Sequence, residues 1–214
     1  MRNRGVQSKK RYLLAFLIGT FIFVFIFSLI YSISYLEFQR ISGLQEDIAY
    51  EIFKDKLDYS LFDEGICSDQ SFKEISENLG FQGRIIDNLE KKLGKNDKRV
   101  LFRKKFYTLI ELEHFEFVKI FNEKCDSNIN TILFFYSNED ADIALSKDIG
   151  KLLNVIHTGN DNLTIYSFDI NLKSDLIEKL KKKYNIEKPP TIIINENITI
   201  INPQSINEIE KYLV

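Results

Sequence analysis

Residues 131–144 read TILFFYSNEDADIA. The first six are β-branched, aliphatic or aromatic, the composition of a buried strand. Residues 137–140 are small and polar, as a turn requires. Beyond them Ile143, Leu145, Ile149, Leu152, Leu153 and Ile156 follow a helical spacing,. Strand, turn and a helix over 140–156 are therefore predicted. Downstream, residues 158–161 read as a turn and 163–168 as a second strand. A second helix covers 174–184, and Lys181, Lys182 and Lys183 suit the negative end of its dipole,. Residues 190–195 and 198–201 read as two further strands joined by Asn195-Glu196-Asn197. Pro203 is expected in the first turn of a last helix ending at Leu213. The order is β-α-β-α-β-β-α: a parallel, right-handed βαβ crossover, then an antiparallel hairpin.

Upstream the pattern is helical. Ser71 to Glu74 has the capping-box form S-x-x-E, with Ser68 a second candidate cap,. The helix that follows carries Phe72, Ile75, Leu79, Ile86, Leu89 and Leu93, and Gly94 is a natural stop,. Gly80 and Gly83 weaken its middle unless a kink or a close helix contact needs them. A second long helix covers 98–124, with Val100, Leu101, Tyr107, Ile110, His114, Phe117, Val118 and Phe121 on its apolar positions. His114 reads as a packing histidine. Lys98, Arg99, Arg103, Lys104 and Lys105 read as a solvated basic face, with contact to acidic lipid or an acidic partner the alternative.

Two such helices joined by a short turn fold back as an antiparallel hairpin. Cys67 and Cys125, the chain's two cysteines, then lie at the same end. Outside the cytoplasm they are expected to pair. Closing that loop contributes about 4 kcal/mol in the chain-entropy model. Two free thiols, or a working redox pair, are the alternatives; no C-x-x-C is present to activate either sulfur.

Residues 12–36 run without a charge, beyond the roughly 20 that a helix needs to cross the hydrocarbon,. Tyr12, Tyr31 and Tyr35 stand near its ends, and Arg2, Arg4, Lys9, Lys10 and Arg11 precede it. That arrangement places the N-terminus in the cytoplasm and the remainder outside. The run is too long for a cleaved signal peptide, and its exit, YSISYLEFQR, is a poor cleavage site,. Between it and the hairpin, Leu44, Ile48, Ile52, Phe53, Leu57 and Leu61 continue a helix, with a break considered at Gly43 and a stop at 63–65,. The expected organisation is a basic tail over 1–11, a transmembrane helix over 12–36, a helical hairpin region over 37–126 and an α/β domain over 127–214.

Composition excludes several classes. The net charge of −2 becomes −7 once the five basic residues of the tail are set aside, so the body lacks a nucleic-acid footprint,. Two cysteines and two histidines, widely scattered, give no zinc site,. No phosphate loop, dinucleotide fingerprint, H-E-x-x-H or nucleophile elbow occurs, so no cofactor or metal is expected. Asn162-Leu163-Thr164 and Asn197-Ile198-Thr199 are sequons on the outer side of the expected topology,.

The element order, with Lys188-Pro189-Pro190-Thr191 ahead of an Ile-rich strand, resembles the thioredoxin-like superfamily. By that resemblance Pro190 follows a cis bond and, with Thr191, faces the reactive dithiol. The chain further resembles membrane-anchored thioredoxin-like proteins of small-genome archaea, through Phe135-Tyr136-Ser137-Asn138, Tyr166-Ser167-Phe168-Asp169 and the hairpin bearing Cys67 and Cys125. Where that group carries C-x-x-C, this chain reads Ala141-Asp142-Ile143-Ala144. Alanine can neither attack a disulfide nor form a mixed one. The resemblance thus implies a fold without its dithiol chemistry.

The leading expectation is a non-catalytic binding or scaffold module on the membrane. An extended peptide or protein partner would enter the groove between the 138–144 turn and Pro190–Thr191, beside Ser137 and Asn138, and pair as an added strand with the backbone before Pro190. A thiol–disulfide oxidoreductase using Cys67 and Cys125 is the alternative, and an envelope spacer without a groove is a third reading.

Overall fold

The computed structural model describes residues 4–62, 67 and 69–213. Three helices come first: α1 (Arg4–Phe62), α2 (Asp69–Leu93) and α3 (Lys98–Lys124). They are followed by β1 (Asn130–Tyr136), α4 (Ile143–Thr158), β2 (Leu163–Asp169), α5 (Asp175–Lys183), β3 (Thr191–Ile194), β4 (Ile198–Ile201) and α6 (Ile206–Glu210). Within α1, Lys9–Leu36 is long and apolar enough to cross a membrane, with a mean hydropathy of 2.8. Gly43 lies inside α1 rather than at a break. The stop read at 63–65 and the candidate cap Ser68 lie outside the described residues, as do the side chains of Leu44, Ile48, Ile52, Leu57 and Leu61.

The chain divides into two compact units, Met1–Leu44 and Gln45–Val214. In the second, four strands form one mixed sheet in the order β2-β1-β3-β4. β1 and β2 are parallel, whereas β3 is antiparallel to both β1 and β4. Alternate residues of each strand point to opposite faces. Leu133, Phe135, Tyr166, Phe168 and Ile193 therefore share one face, where they pack with Ile75 and Leu79 of α2, Ile110 and Phe115 of α3, and Ile177 and Leu180 of α5. Ile132, Phe134, Ile192 and Ile194 line the other face against Ile149, Leu153 and Ile156 of α4 and Ile209 of α6. The hairpin and the sheet thus share a core.

Local chemistry sets the element ends. Gly94 takes φ +89 after α2, a conformation that favours glycine, and its N–H donates to Glu90 O at 2.9 Å,. Asp97 caps α3 by accepting from the Arg99 N–H at 2.8 Å,. Asn195 and Glu196 both take positive φ (48° and 60°), and the Asn197 N–H returns to Ile194 O, the form of a type I′ hairpin turn,. Glu196 is held there by Lys119 at 3.0 Å, Lys183 at 3.2 Å and the Tyr184 hydroxyl at 2.9 Å.

Three boundaries differ from the sequence reading. α2 starts at Asp69, so Ser71 lies in its first turn rather than ahead of it. α4 starts at Ile143, because 140–142 close a turn in which Asp142 N–H and Ile143 N–H both donate to Glu139 O. α6 starts at Ile206 and stops at Glu210. Pro203 lies ahead of it in irregular backbone, and the Gln204 N–H donates instead to the Glu208 carboxylate at 2.8 Å.

The two glycines of α2 separate cleanly. A Cβ on Gly83 would stand 2.9 Å from the Tyr107 hydroxyl, which donates to Leu79 O at 3.0 Å. Gly80 meets only an arginine tip at 3.7 Å. Gly80→Ala should therefore stabilise by roughly 0.5–1 kcal/mol. Gly83→Ala should destabilise by about 1–2 kcal/mol, since Tyr107 must move and its hydrogen bond is strained. Urea midpoints of the two variants check this; a stabilising Gly83→Ala would deny the close contact.

Candidate functional site

The carboxyl end of β1 is a closed polar network. Ser137 N–H donates to Ser146 Oγ at 3.1 Å, and Ser137 Oγ donates to Asn171 Oδ1 at 2.8 Å. Asn138 N–H reaches the same Asn171 oxygen at 3.1 Å, while its side-chain amide donates to Asp169 Oδ2 at 2.8 Å. Asn138 O accepts from Lys95 Nζ at 3.2 Å. The loop after β1, the end of β2 and the α2–α3 turn are therefore tied to one another.

Lys104 is the centre of this arrangement. Its ammonium donates to Glu90 at 2.7 Å and also to Asp169, and all three side chains are largely buried. It also lies over the Tyr136 ring, 5.5 Å from the centroid. Burial alone would lower its pKa; Tyr136, Asp169 and Glu90 outweigh that and raise it, so the charge is secured,. The basic cluster consequently splits. Lys98, Arg99 and Lys105 are exposed, but Arg103 and Lys104 are each only 5% exposed, which corrects the solvated-face reading for both. For Lys104 the reason is tertiary: β2 brings a carboxylate to α3 that local spacing does not reveal.

Two further buried titratable groups join α3 to the sheet. His114 is fully buried and lies 2.8 Å from the Tyr166 hydroxyl through Nδ1 and 3.2 Å from Ser76 Oγ through Nε2. Ser76 Oγ also lies 2.9 Å from Phe72 O, so it donates there and accepts from the imidazole N–H. Burial holds His114 neutral, with its pKa lowered to about 4. It is a packing residue with both nitrogens satisfied. Glu111 accepts the Ser167 N–H through Oε1 at 2.8 Å, while its Oε2 has no partner among the described residues. Burial pushes its pKa up to about 8, against the Ser167 bond and Lys104, which lower it.

Ala141 and Ala144 lie in the turn before α4 and in its first turn, and both are exposed. Neither brings a polar side chain to the site. Pro190 is buried immediately ahead of β3, and the Pro189–Pro190 bond is cis. Thr191 pairs with Phe135 across the sheet and donates through Oγ1 to Lys188 O at 2.7 Å. Pro190 O accepts the Asn202 N–H at 2.8 Å. Prolines 189 and 190 have no N–H, so an incoming strand finds no donor there. Backbone pairing at the proline segment is thereby weakened, and the polar groups of Ser137 and Asn138 are committed internally.

Cys67 and Cys125 are bonded, with an S–S distance of 2.04 Å and a sequence separation of 58. Cys67 is exposed two positions before α2, and Cys125 caps the C-terminus of α3. Cys125 packs against the buried pair Phe117 and Phe121, as do Phe72, Ile120 and Ile129. Among the described residues no cluster of three or more metal-ligating side chains occurs. A cleft of about 260 Å³ lies at the other end of β1, against Lys119, Asn122, Asn195 and Glu196. Its amides are spent on the Ile129 and Thr131 backbone.

No family model and no curated protein matches this chain. One solved structure, described as that of a malarial protein, aligns with 41% of this chain and 100% of its own at 23% identity, with a TM-score of 0.31. A likeness that low carries no argument about fold or activity.

Proposed function

We propose that this protein is a membrane-anchored, extracytoplasmic thioredoxin-like module that has no dithiol and serves as a non-catalytic scaffold or binding domain. The fold reading is supported by the strand order β2-β1-β3-β4 with β3 antiparallel to its neighbours, by helices on both faces, and by a proline directly ahead of β3. The functional reading rests on one observation: alanines occupy both positions at the start of α4 where the related fold holds its sulfurs. The saturated polar network around Ser137 and Asn138 favours the scaffold form, because few groups remain for a peptide to pair with.

Ala141→Cys combined with Ala144→Cys tests the register. In the full chain the pair should oxidise to a disulfide that opens separately from Cys67–Cys125, read by alkylation and intact mass. A pair that stays reduced under oxidant would count against the alignment, and dithiol turnover by the unaltered chain would remove the non-catalytic reading.

One observation favours the oxidoreductase reading. Cys67 is exposed close to the start of α2, the helix end that favours a thiolate,. Cys125 sits at the opposite, unfavourable end of its helix,. A bridge that resists glutathione-like potentials in a graded redox series would end this alternative; one that opens under mildly reducing conditions would promote it.

A further inference from the structure

Several exposed basic residues of α2 and α3 collect at the end of the second unit that holds the turn between them. Lys91 and Lys92 close α2, Lys95 lies in the turn, and Lys98 and Arg99 open α3. Asp87 and Asp97 pair with Lys91 and Arg99, and Lys95, Lys98 and Lys105 carry further positive charge at this end. Phe102 is 60% exposed and lies between Lys98 and Lys105 at helical spacing, i, i+4 and i+7, so the three share a face,. An exposed aromatic between lysines matches the chemistry of an anionic lipid surface, which takes an apolar ring at its boundary and attracts cations. Glu139 and Asp140 stand exposed on the loop after β1, outside the helix-turn face.

Chain length points to the same partner. Residues 37–44 are all that separates Lys9–Leu36 from Gln45, the first residue of the second unit. These eight residues lie within α1, and in any conformation they reach at most roughly 28 Å,. Within the second unit, Glu46 acts on Arg103, and Ala49 shares a small apolar cleft with Phe106 and Ile110. The chain therefore enters this unit alongside the first half of α3, the part that bears the lysines.

We infer that the α2–α3 turn and the Lys98–Phe102–Lys105 face of α3 form a contact surface for anionic lipid headgroups of the membrane that holds the protein. This rests on the reading of Lys9–Leu36 as a membrane span. Lys95 then serves two ends, since it also binds Asn138 O. Headgroup contact at the turn would steady the loop after β1.

The test uses the full chain in lipid nanodiscs. Asn96→Cys, exposed in the α2–α3 turn, carries a fluorophore, and Val155→Cys, exposed near the far end of α4, serves as the reference. Headgroup-nitroxide lipid should quench position 96 well above position 155 in phosphatidylglycerol–phosphatidylcholine discs. The difference should vanish in phosphatidylcholine alone and weaken with salt. Each basic residue near an anionic surface contributes roughly a fivefold factor, so Lys98→Glu with Lys105→Glu should lower the contact equilibrium by at least about 25-fold. Equal quenching at both positions, or no dependence on anionic lipid, overturns the inference and leaves the patch to an acidic protein. Release of the chain from membranes by alkaline carbonate instead overturns the anchor reading beneath it.

Discussion

Lys104→Met should destabilise the protein by about 3–5 kcal/mol, because it leaves two buried carboxylates without their cation. The side chains of Lys104 and Asp169 are each 6% exposed, and that of Glu90 is 13% exposed. Asp169 also accepts from Asn138 and from the Asn171 N–H, so the loss spreads to the loop after β1. Urea denaturation of the variant should show a lower midpoint and faster hydrogen exchange at 137–139. Adding Asp169→Asn and Glu90→Gln to Lys104→Met should recover a large part of the loss, since neutral amides cost less to bury than unpaired charges. A single variant within about 1 kcal/mol of the parent would show that the triad is not held together in solution.

Glu111 should make stability fall as pH rises. Its carboxyl binds a proton up to about 8 when folded, against 4.5 as the ordinary value. Between those two values the unfolded chain has released the proton and the folded chain has not, so each pH unit costs up to roughly 1.4 kcal/mol. His114 acts with the opposite sign. Its folded pKa of about 4 lies below the ordinary 6.5, so stability is lost as pH falls through that interval,. The two slopes oppose each other between 4.5 and 6.5, where stability should be nearly level. From 6.5 to about 8 the Glu111 slope acts alone and stability should decline. Glu111→Gln keeps an acceptor for the Ser167 N–H and should remove that decline, with a gain of roughly 2–3 kcal/mol at pH 9. An unchanged alkaline arm in this variant would assign the decline elsewhere.

The strands were legible in the sequence because each is a short apolar run bounded by turn residues. β4 coincides with the run read at 198–201, and β2 exceeds its reading by Asp169 alone. That one residue is also the acid that Lys104 meets. The apolar positions read on α3 were incomplete in an informative way. Val100, Lys104, Tyr107, Glu111, His114 and Val118 recur every three or four residues, and all but Tyr107 are buried. Lys104 and Glu111 fill gaps in an otherwise apolar stripe, a signal present in the spacing alone. Their partners were not legible: Asp169 is 65 positions from Lys104, and Ser167 is 56 from Glu111. The start of α4 was placed three residues early because Asp140 to Asp142 have the polar composition of a first turn, while their backbone closes a separate one.

The carboxyl of Glu111 occupies an outward N–H in the middle of β2, the strand at one margin of the sheet. Strand margins are where like chains polymerise, and growth into a fibre requires two of them, one to give and one to receive. With α3 laid against β2, an incoming strand finds that side obstructed. The other margin is β4, only four residues long. One-sided adhesion halts at a pair. The helical hairpin thus doubles as a terminator at the β2 margin of the sheet.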